Sequence, residues 1–298
     1  MKLIVLGSSG QLGKSFKKCI DSNLFEVQYF SRHELDICQH KEIENIISLI
    51  KPDFVINASA YTKVDDAENF QDIADNVNHI SLSKMAKYCY LNDATLVHFS
   101  TDYVFDGKSK IAYTELCNTN PINFYGLSKL NGEEAIKKSK CNYVIIRTSW
   151  VFSEYGKNFF KTIMRLTQKD KLRIVNDQFG APTYAPDIAL ATIEIINKIK
   201  KKDVKEIYHF TGDESCNWAE FASNIFELAL KQKKIDVAPI IKGIPSKDYC
   251  VLAARPKFSI LDCDKIMKNY KNIKLSNWRD GIIKSLNASS FKNNKIEE

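Results

Sequence analysis

The chain opens on an apolar run, Lys2–Leu6, after which apolar residues recur at helical spacing in Leu12, Phe16, Cys19 and Ile20. The alternation then repeats. Phe25–Phe30 reads as a second strand, and Ile43, Ile46, Ile47 and Ile50 form a second helical stripe ended by Pro52. Phe54-Val55-Ile56 predicts a third strand, followed by a helix over 72–90. Strands at Thr95–Ser100 and Tyr143–Thr148 flank a helix carrying Tyr125 and Lys129. Near-continuous apolar strands alternating with helices predict an α/β fold: a Rossmann-type doubly wound parallel sheet covered on both faces.

Past Trp150 the rhythm loosens. Short strands are expected at Arg173–Asn176, Glu206–Phe210 and Val237–Ile241, with helices near 186–200 and 218–232. The second of these helices opens on Asn217 with Glu220 three residues on, a variant capping box. Residues 151–286 therefore read as mainly a smaller C-terminal lobe, with some segments returning to the 1–150 domain. Residues 287–298, rich in Lys and Asn, read as a frayed tail.

Composition narrows the class. At 44% hydrophobic and 27% charged residues, the chain reads as a soluble globular protein. No apolar run approaches the roughly 20 residues that span a bilayer. The run ending at Gly7 lacks a cleavage site, so a strand and a cytoplasmic protein are expected. The eight cysteines show no C-x-x-C pair and read as reduced, mostly buried thiols. The net charge of +7 comes from scattered lysines, the run Lys200-Lys201-Lys202 aside, without interleaved aromatics. That pattern argues against nucleic acid and for an anionic small substrate.

Two motifs carry the chemistry. Gly7-Ser8-Ser9-Gly10-Gln11-Leu12-Gly13 lies between the first strand and the first helix, where a glycine loop cradles the pyrophosphate of a dinucleotide. Residues 1–150 thus become an NAD(P)-binding domain and 151–286 its substrate-binding lobe. Gly7, Ser9, Gly10, Gln11, Leu12 and Gly13 are the expected phosphate contacts. At the end of the second strand an acid would select NAD; here the chain reads Ser31-Arg32. A hydroxyl and a guanidinium suit a 2′-phosphate, so NADPH is the expected cofactor and NADH the alternative. Asp36, with Ile37 beside it, is a candidate for the adenine edge or a neighbouring amide. Ala58, Ser59, Ala60 and Tyr61 would run beneath the cofactor.

The second motif is Tyr125-Gly126-Leu127-Ser128-Lys129. A lysine at i+4 shares a helix face with the tyrosine, and its charge would lower a phenol pKa that is about 10 in water. Tyr125 is then the candidate proton donor to a carbonyl undergoing reduction. Ser100 and Thr101 end a strand beside it, and Thr101 is placed to polarise that carbonyl. His79 and His98 are the remaining candidates for acid/base chemistry, though His98 lies inside a strand.

Several longer blocks sharpen this reading: Asn57 to Glu68, Ser100-Thr101-Asp102-Tyr103-Val104-Phe105-Asp106-Gly107, Asn176-Asp177-Gln178-Phe179-Gly180-Ala181-Pro182-Thr183, Trp218-Ala219-Glu220-Phe221 and Arg255-Pro256 to Leu261-Asp262. With them the chain resembles the dTDP-4-dehydrorhamnose reductase family of the extended short-chain dehydrogenase/reductase superfamily, almost end to end. The resemblance implies NADPH-dependent reduction of the C4 ketone of a nucleotide sugar, dTDP-4-dehydro-β-L-rhamnose, to dTDP-L-rhamnose. It implies Tyr125, Lys129 and Thr101 as the catalytic set, and Asp102, Val104, Trp150 and Arg255 as substrate contacts. Some members dimerise around magnesium held by glutamates. One of those positions is Ser15 here, after Lys14, so no metal is expected and the chain reads as a monomer or homodimer. Two alternatives remain open: a reductase or epimerase/reductase of another nucleotide 4-keto sugar, and a non-catalytic regulatory subunit of the same fold, as in eukaryotic methionine adenosyltransferase.

Overall fold

The computed structural model describes residues 1–199 and 204–288, so Lys200-Lys201-Lys202 and the tail beyond 288 lie outside the described residues. Six strands form one wholly parallel sheet: β1 (Lys2–Leu6), β2 (Glu26–Phe30), β3 (Phe54–Asn57), β4 (Thr95–Thr101), β5 (Asn142–Thr148) and β6 (Lys205–His209). Their spatial order is β2-β1-β3-β4-β5-β6. The chain reverses direction of travel across the sheet between β1 and β3, and a crevice opens at the carboxyl ends of such strands.

Alternation of side chains explains why both faces are dry. Leu3 and Val5 of β1 point into one core with Phe16 of α1 (Gln11–Cys19). Ile4 and Leu6 point into the other, with Ile43 and Ile47 of α2 (His40–Ile50) and Met85 of α3 (Ser81–Leu91). The helix carrying Tyr125 and Lys129 is α4 (Phe124–Lys138). From the second half, α5 (Ala185–Lys198) packs Ile188 and Ile195 into the first of these cores, and β6 extends the sheet. The remaining elements build a separate apolar core around Phe152, Phe160, Phe221 and Trp278. It contains α6 (Trp218–Lys231), capped by the expected Asn217–Glu220 box.

Three expectations shift. The strand expected at Val237–Ile241 runs Ile240–Ile244, pairing with Lys171–Val175. Pro239 has no N–H to give the ladder, and pairing begins at Ile240, whose amide donates to the Asp170 carbonyl. The helix expected over 72–90 runs through without a break but widens in its middle: Gln71–Asp75, a π-helical segment Asn76–Ile80, then α3. The widened turn aims Asn78 inward, where it accepts from the Tyr61 amide and donates to the Tyr61 carbonyl and Ser128 Oγ. One buried amide thus fixes the loop after β3 against the helix bearing the tyrosine–lysine pair. Residues 287 and 288, expected in the tail, close the last helix, Trp278–Ala288.

All eight cysteines are free; Cys89, Cys141, Cys216 and Cys263 are buried and Cys250 is exposed. No helix among the described residues is long and apolar enough to cross a membrane.

Candidate active site

The glycine loop follows β1 into the crevice. Gly7 adopts a left-handed φ of 76°, and a Cβ there would come within 2.7 Å of Ser59 Oγ. A Cβ on Gly13 would fall 2.6 Å from Ser8 Cα, so only glycine lets α1 approach the loop this closely. Gly10 caps α1 without a side chain, which leaves the first-turn amides and the positive helix end facing the crevice. The loop fits a pyrophosphate on that ground. Ser15 is buried and donates to the Gln11 carbonyl.

The Gln11 side chain points elsewhere: Nε2 donates to the Val151 carbonyl, and Oε1 accepts from Ser153 Oγ and Asn158 Nδ2. Its amide remains as the group available to a phosphate. Ser8 N donates to the Phe30 carbonyl, which brings the end of β2 alongside the loop. There Arg32 is 78% exposed and holds Asp36 Oδ2 at 3.0 Å. Asp36 Oδ1 accepts the Cys38 amide, the neighbouring-amide alternative of its two expected partners. Burial opposes its ionisation, but the Cys38 amide and Arg32 outweigh it and lower its pKa. Ile37 is buried in the core on that side.

α4 is positioned from its first turn. Asn123 Oδ1 accepts the Gly126 amide while its Nδ2 donates to the Ala254 carbonyl, and Glu68 accepts the Phe124 amide. Gly126 is required because a Cβ would run into the Tyr103 carbonyl. Tyr125 is half-buried, with Tyr103 edge-on at 5.8 Å. Burial raises its phenol pKa well above the ordinary value, a hydrogen bond with Thr101 partly offsets this, and Asp102 and Tyr103 add to it. Lys129, expected to lower that pKa by its charge, is engaged elsewhere. Its Nζ is drawn back to the Phe99 carbonyl at 2.6 Å and His98 Nε2 at 3.0 Å.

Thr101 Oγ1 donates to Asp102 Oδ1 and accepts the Tyr103 amide. Asp102 is 2% exposed and its Oδ2 has no partner; burial lifts its pKa to about 6, partly offset by Ser259 and Thr101. Ser100 Oγ and Thr148 Oγ1, on adjacent strands, are likewise buried without partners. Orphaned polar atoms gathered at the carboxyl ends of β4 and β5 are what a polar ligand would satisfy. A raised carboxylate pKa means stability is greatest below 3.8 and is lost as pH rises through about 6. Asp102→Asn should therefore stabilise the ligand-free protein at pH 7 by about 2–3 kcal/mol, and not at pH 3. Urea denaturation at the two pH values checks this; equal effects at both would disprove it.

One expected contact is corrected. Val104 is fully buried with Phe105, Tyr113 and Leu261, and its carbonyl accepts the Asn120 amide. Its side chain cannot reach a substrate. Trp150 takes a left-handed φ of 47° and stacks on Trp218 at 3.4 Å, with Gly180 against its indole. Trp218 Nε1 donates to Gln178. Beyond Trp218 opens a cleft of about 410 Å³ lined by Phe159, Leu172, Gln178, Trp218 and Arg255. Arg255 is held by Asp65 at 2.7 Å and lies beside Tyr103, while its Nε is buried without a partner. Sequence reasoning missed Asp65, Gln178 and Trp218, although all three fall inside the longer blocks that carried the resemblance.

Comparison with known proteins agrees with this geometry. The family model for the RmlD substrate binding domain matches residues 1–291. The dTDP-4-dehydrorhamnose reductase of Aggregatibacter actinomycetemcomitans is 40% identical over 93% of this chain and 96% of its own length. That of Escherichia coli K12 is 33% identical over 96% and 97%. The crystal structure of the Bacillus anthracis enzyme in complex with NADP superimposes with a TM-score of 0.89 at 32% identity, covering 97% of this chain and 99% of that one. A UDP-glucose 4-epimerase of Thermus thermophilus, 16% identical with a TM-score of 0.80, shares the fold. A parallel sheet with a glycine loop, a Tyr125–Lys129 helix beside Thr101, and near full-length identity of this kind make the chain a member of the dTDP-4-dehydrorhamnose reductase family of oxidoreductases.

Proposed function

We propose that the chain reduces the C4 ketone of dTDP-4-dehydro-β-L-rhamnose to dTDP-L-rhamnose with NADPH. The observation that carries this is Tyr125 beside Thr101 at the carboxyl end of β4, the same edge of the parallel sheet at which β1 runs into the glycine loop, in a chain 40% identical to a named reductase. When bound, the cofactor supplies the hydride. Amides of residues 9–13 hold the pyrophosphate, and Ala58–Tyr61 form the floor beneath it. Thr101 Oγ1 donates to the ketone oxygen, and Tyr125 delivers its proton as charge develops there. With coenzyme bound, Lys129 would hold the nicotinamide ribose and bring its charge to the phenol. Asp102 and Trp150 meet the sugar. Arg255, with one N–H unpaired, takes the diphosphate, and the cleft by Trp218 takes the nucleoside.

Ser31 and the exposed Arg32 receive the 2′-phosphate, consistent with the NADP bound by the Bacillus anthracis relative. Arg32→Ala should weaken NADPH about 10- to 100-fold and leave NADH nearly unchanged, the worth of one charged hydrogen-bonding group. Dissociation constants for both coenzymes measure it; equal losses would remove the assignment.

We place the protein in the cytoplasm, acting on a free nucleotide sugar as a monomer or homodimer. The deciding experiment presents a panel of nucleotide 4-keto sugars with NADPH and identifies the product by NMR. Preference for a different base or sugar would reassign the substrate. Absence of NADPH oxidation with every member would leave a binding role.

A further inference from the structure

Lys129 is 2% exposed, yet its two hydrogen bonds run to a carbonyl and an imidazole rather than to a carboxylate. Around it, Glu133 lies one turn along α4 but is committed to Arg147 of β5 through both oxygens. On the other elements packed against α4, Glu68 accepts the Phe124 amide, Asp75 pairs with His79, Asp66 pairs with Lys63, and Asp102 faces Thr101. Tyr125 and Tyr103 are neutral phenols on the same side. Among the described residues, an ammonium here would have no counter-ion in contact.

Donor and acceptor counting along the buried chain reaches the same point. Asn57 Oδ1 accepts the Ser59 amide at 3.0 Å, which leaves its Nδ2, a donor, facing His98 Nδ1 at 3.4 Å. Nδ1 must then be the acceptor nitrogen of a neutral imidazole, and its proton sits on Nε2. Nε2–H points at Lys129 Nζ, and a nitrogen that accepts a hydrogen bond is a free amine. The amine's own hydrogen goes to the Phe99 carbonyl. All four groups are satisfied in one assignment: Asn57 to His98 to Lys129 to Phe99.

We propose that His98 is a positioning residue that stores Lys129 as a neutral amine against β4 in the empty site, so that coenzyme binding takes up one proton at Lys129. This rests on the coenzyme reading only for the second half; the resting state belongs to the ligand-free protein alone. Burial, opposed in part by Glu133, brings the lysine pKa down to about 7 and holds His98 neutral. Arrival of a ribose and release from His98 return the lysine to its charged form beside Tyr125. The histidine thereby times the activation of the phenol to an occupied site.

The test begins without ligand. NMR of the ligand-free protein, labelled with ¹⁵N in histidine and ¹³C at the lysine ε carbon, should find His98 as the Nε2–H tautomer and Lys129 titrating near neutrality. An Nδ1–H tautomer, or a Lys129 still charged above about pH 9, would overturn the proposal whatever the enzyme catalyses. Next, the dissociation constant of NADPH should rise about tenfold per pH unit above that midpoint, with uptake of close to one proton by calorimetry in buffers of different ionisation enthalpy. Lys129→Met should abolish both the slope and the uptake. If NADPH does not bind at all, the functional reading fails while the tautomer and titration still stand or fall by themselves.

Two variants assign the effect to His98. Glutamine offers an amide N–H to Lys129 and a carbonyl to Asn57, so His98→Gln should keep the midpoint. His98→Phe removes the donor that favours the neutral amine, and the midpoint should move upward. A purely structural histidine would lower Tm in both variants and leave the midpoint where it was, which would also overturn the proposal.

Discussion

Tyr125→Phe lowers kcat for reduction of the 4-keto sugar by about 10²- to 10⁴-fold, the usual worth of a general acid, while the NADPH dissociation constant changes little. The expectation follows from what the phenol is in the resting site. Burial holds it firmly protonated, and the Thr101 hydroxyl beside it offsets that only in part. Such a group is a proton reservoir at neutral pH, and it becomes a competent acid only when a positive charge and a developing alkoxide stand beside it. Removing one oxygen atom takes away the proton without disturbing the ring's edge-on packing with Tyr103. Steady-state kinetics together with coenzyme titration separate the outcomes. Undiminished turnover would mean that another group, such as the nearby Asp102, supplies the proton.

Arg147→Met costs about 3–5 kcal/mol of stability. Arg147 Nε and its terminal nitrogen meet both oxygens of Glu133 at 3.0 and 2.7 Å, and Glu133 has no exposed surface. The guanidinium also lies 5.2 Å from the centre of the Phe105 ring and faces His209 Nε2. His209 Nδ1 is directed at the carbonyls of Tyr113 and Asp262, and burial with the nearby Arg147 pushes its pKa down to about 3, so it stays neutral and can accept from the arginine. Deleting Arg147 strands a carboxylate in this environment. Adding Glu133→Met should recover much of the loss, because an apolar pair needs no solvation. Urea denaturation of the single and double variants measures both statements; additive losses would show that the pair is not the source. Because Glu133 belongs to α4, the single variant should also loosen the helix that aims Tyr125 and Lys129.

The backbone plan was readable because periodicity reports burial. Leu3 and Val5 against Ile4 and Leu6 already describe a strand covered twice, and the helical stripe of Ile43 and Ile47 describes one of the covers. The glycine loop was equally legible, since Gly7 and Gly13 answer to steric demands of their own neighbourhood. What escaped depends on partners far along the chain. Spacing places Lys129 on the face of Tyr125, but the direction of its amine is decided by His98 and Phe99 across the sheet. Asp65 and Arg255 meet over 190 residues, and no local pattern announces them. Val104 stands within a block of site residues, yet the turn after β4 sends its side chain into the core. The π-helical segment is invisible to a hydrophobic count because its purpose is one amide, Asn78.

The stacked indoles of Trp150 and Trp218 carry a consequence for observing the enzyme. Two parallel chromophores 3.4 Å apart couple their strong electronic transitions and give a paired signal of opposite signs in far-ultraviolet circular dichroism. The third tryptophan, Trp278, is fully enclosed and supplies a steady background. A sugar that parts or tilts the pair would therefore register optically, without label or turnover.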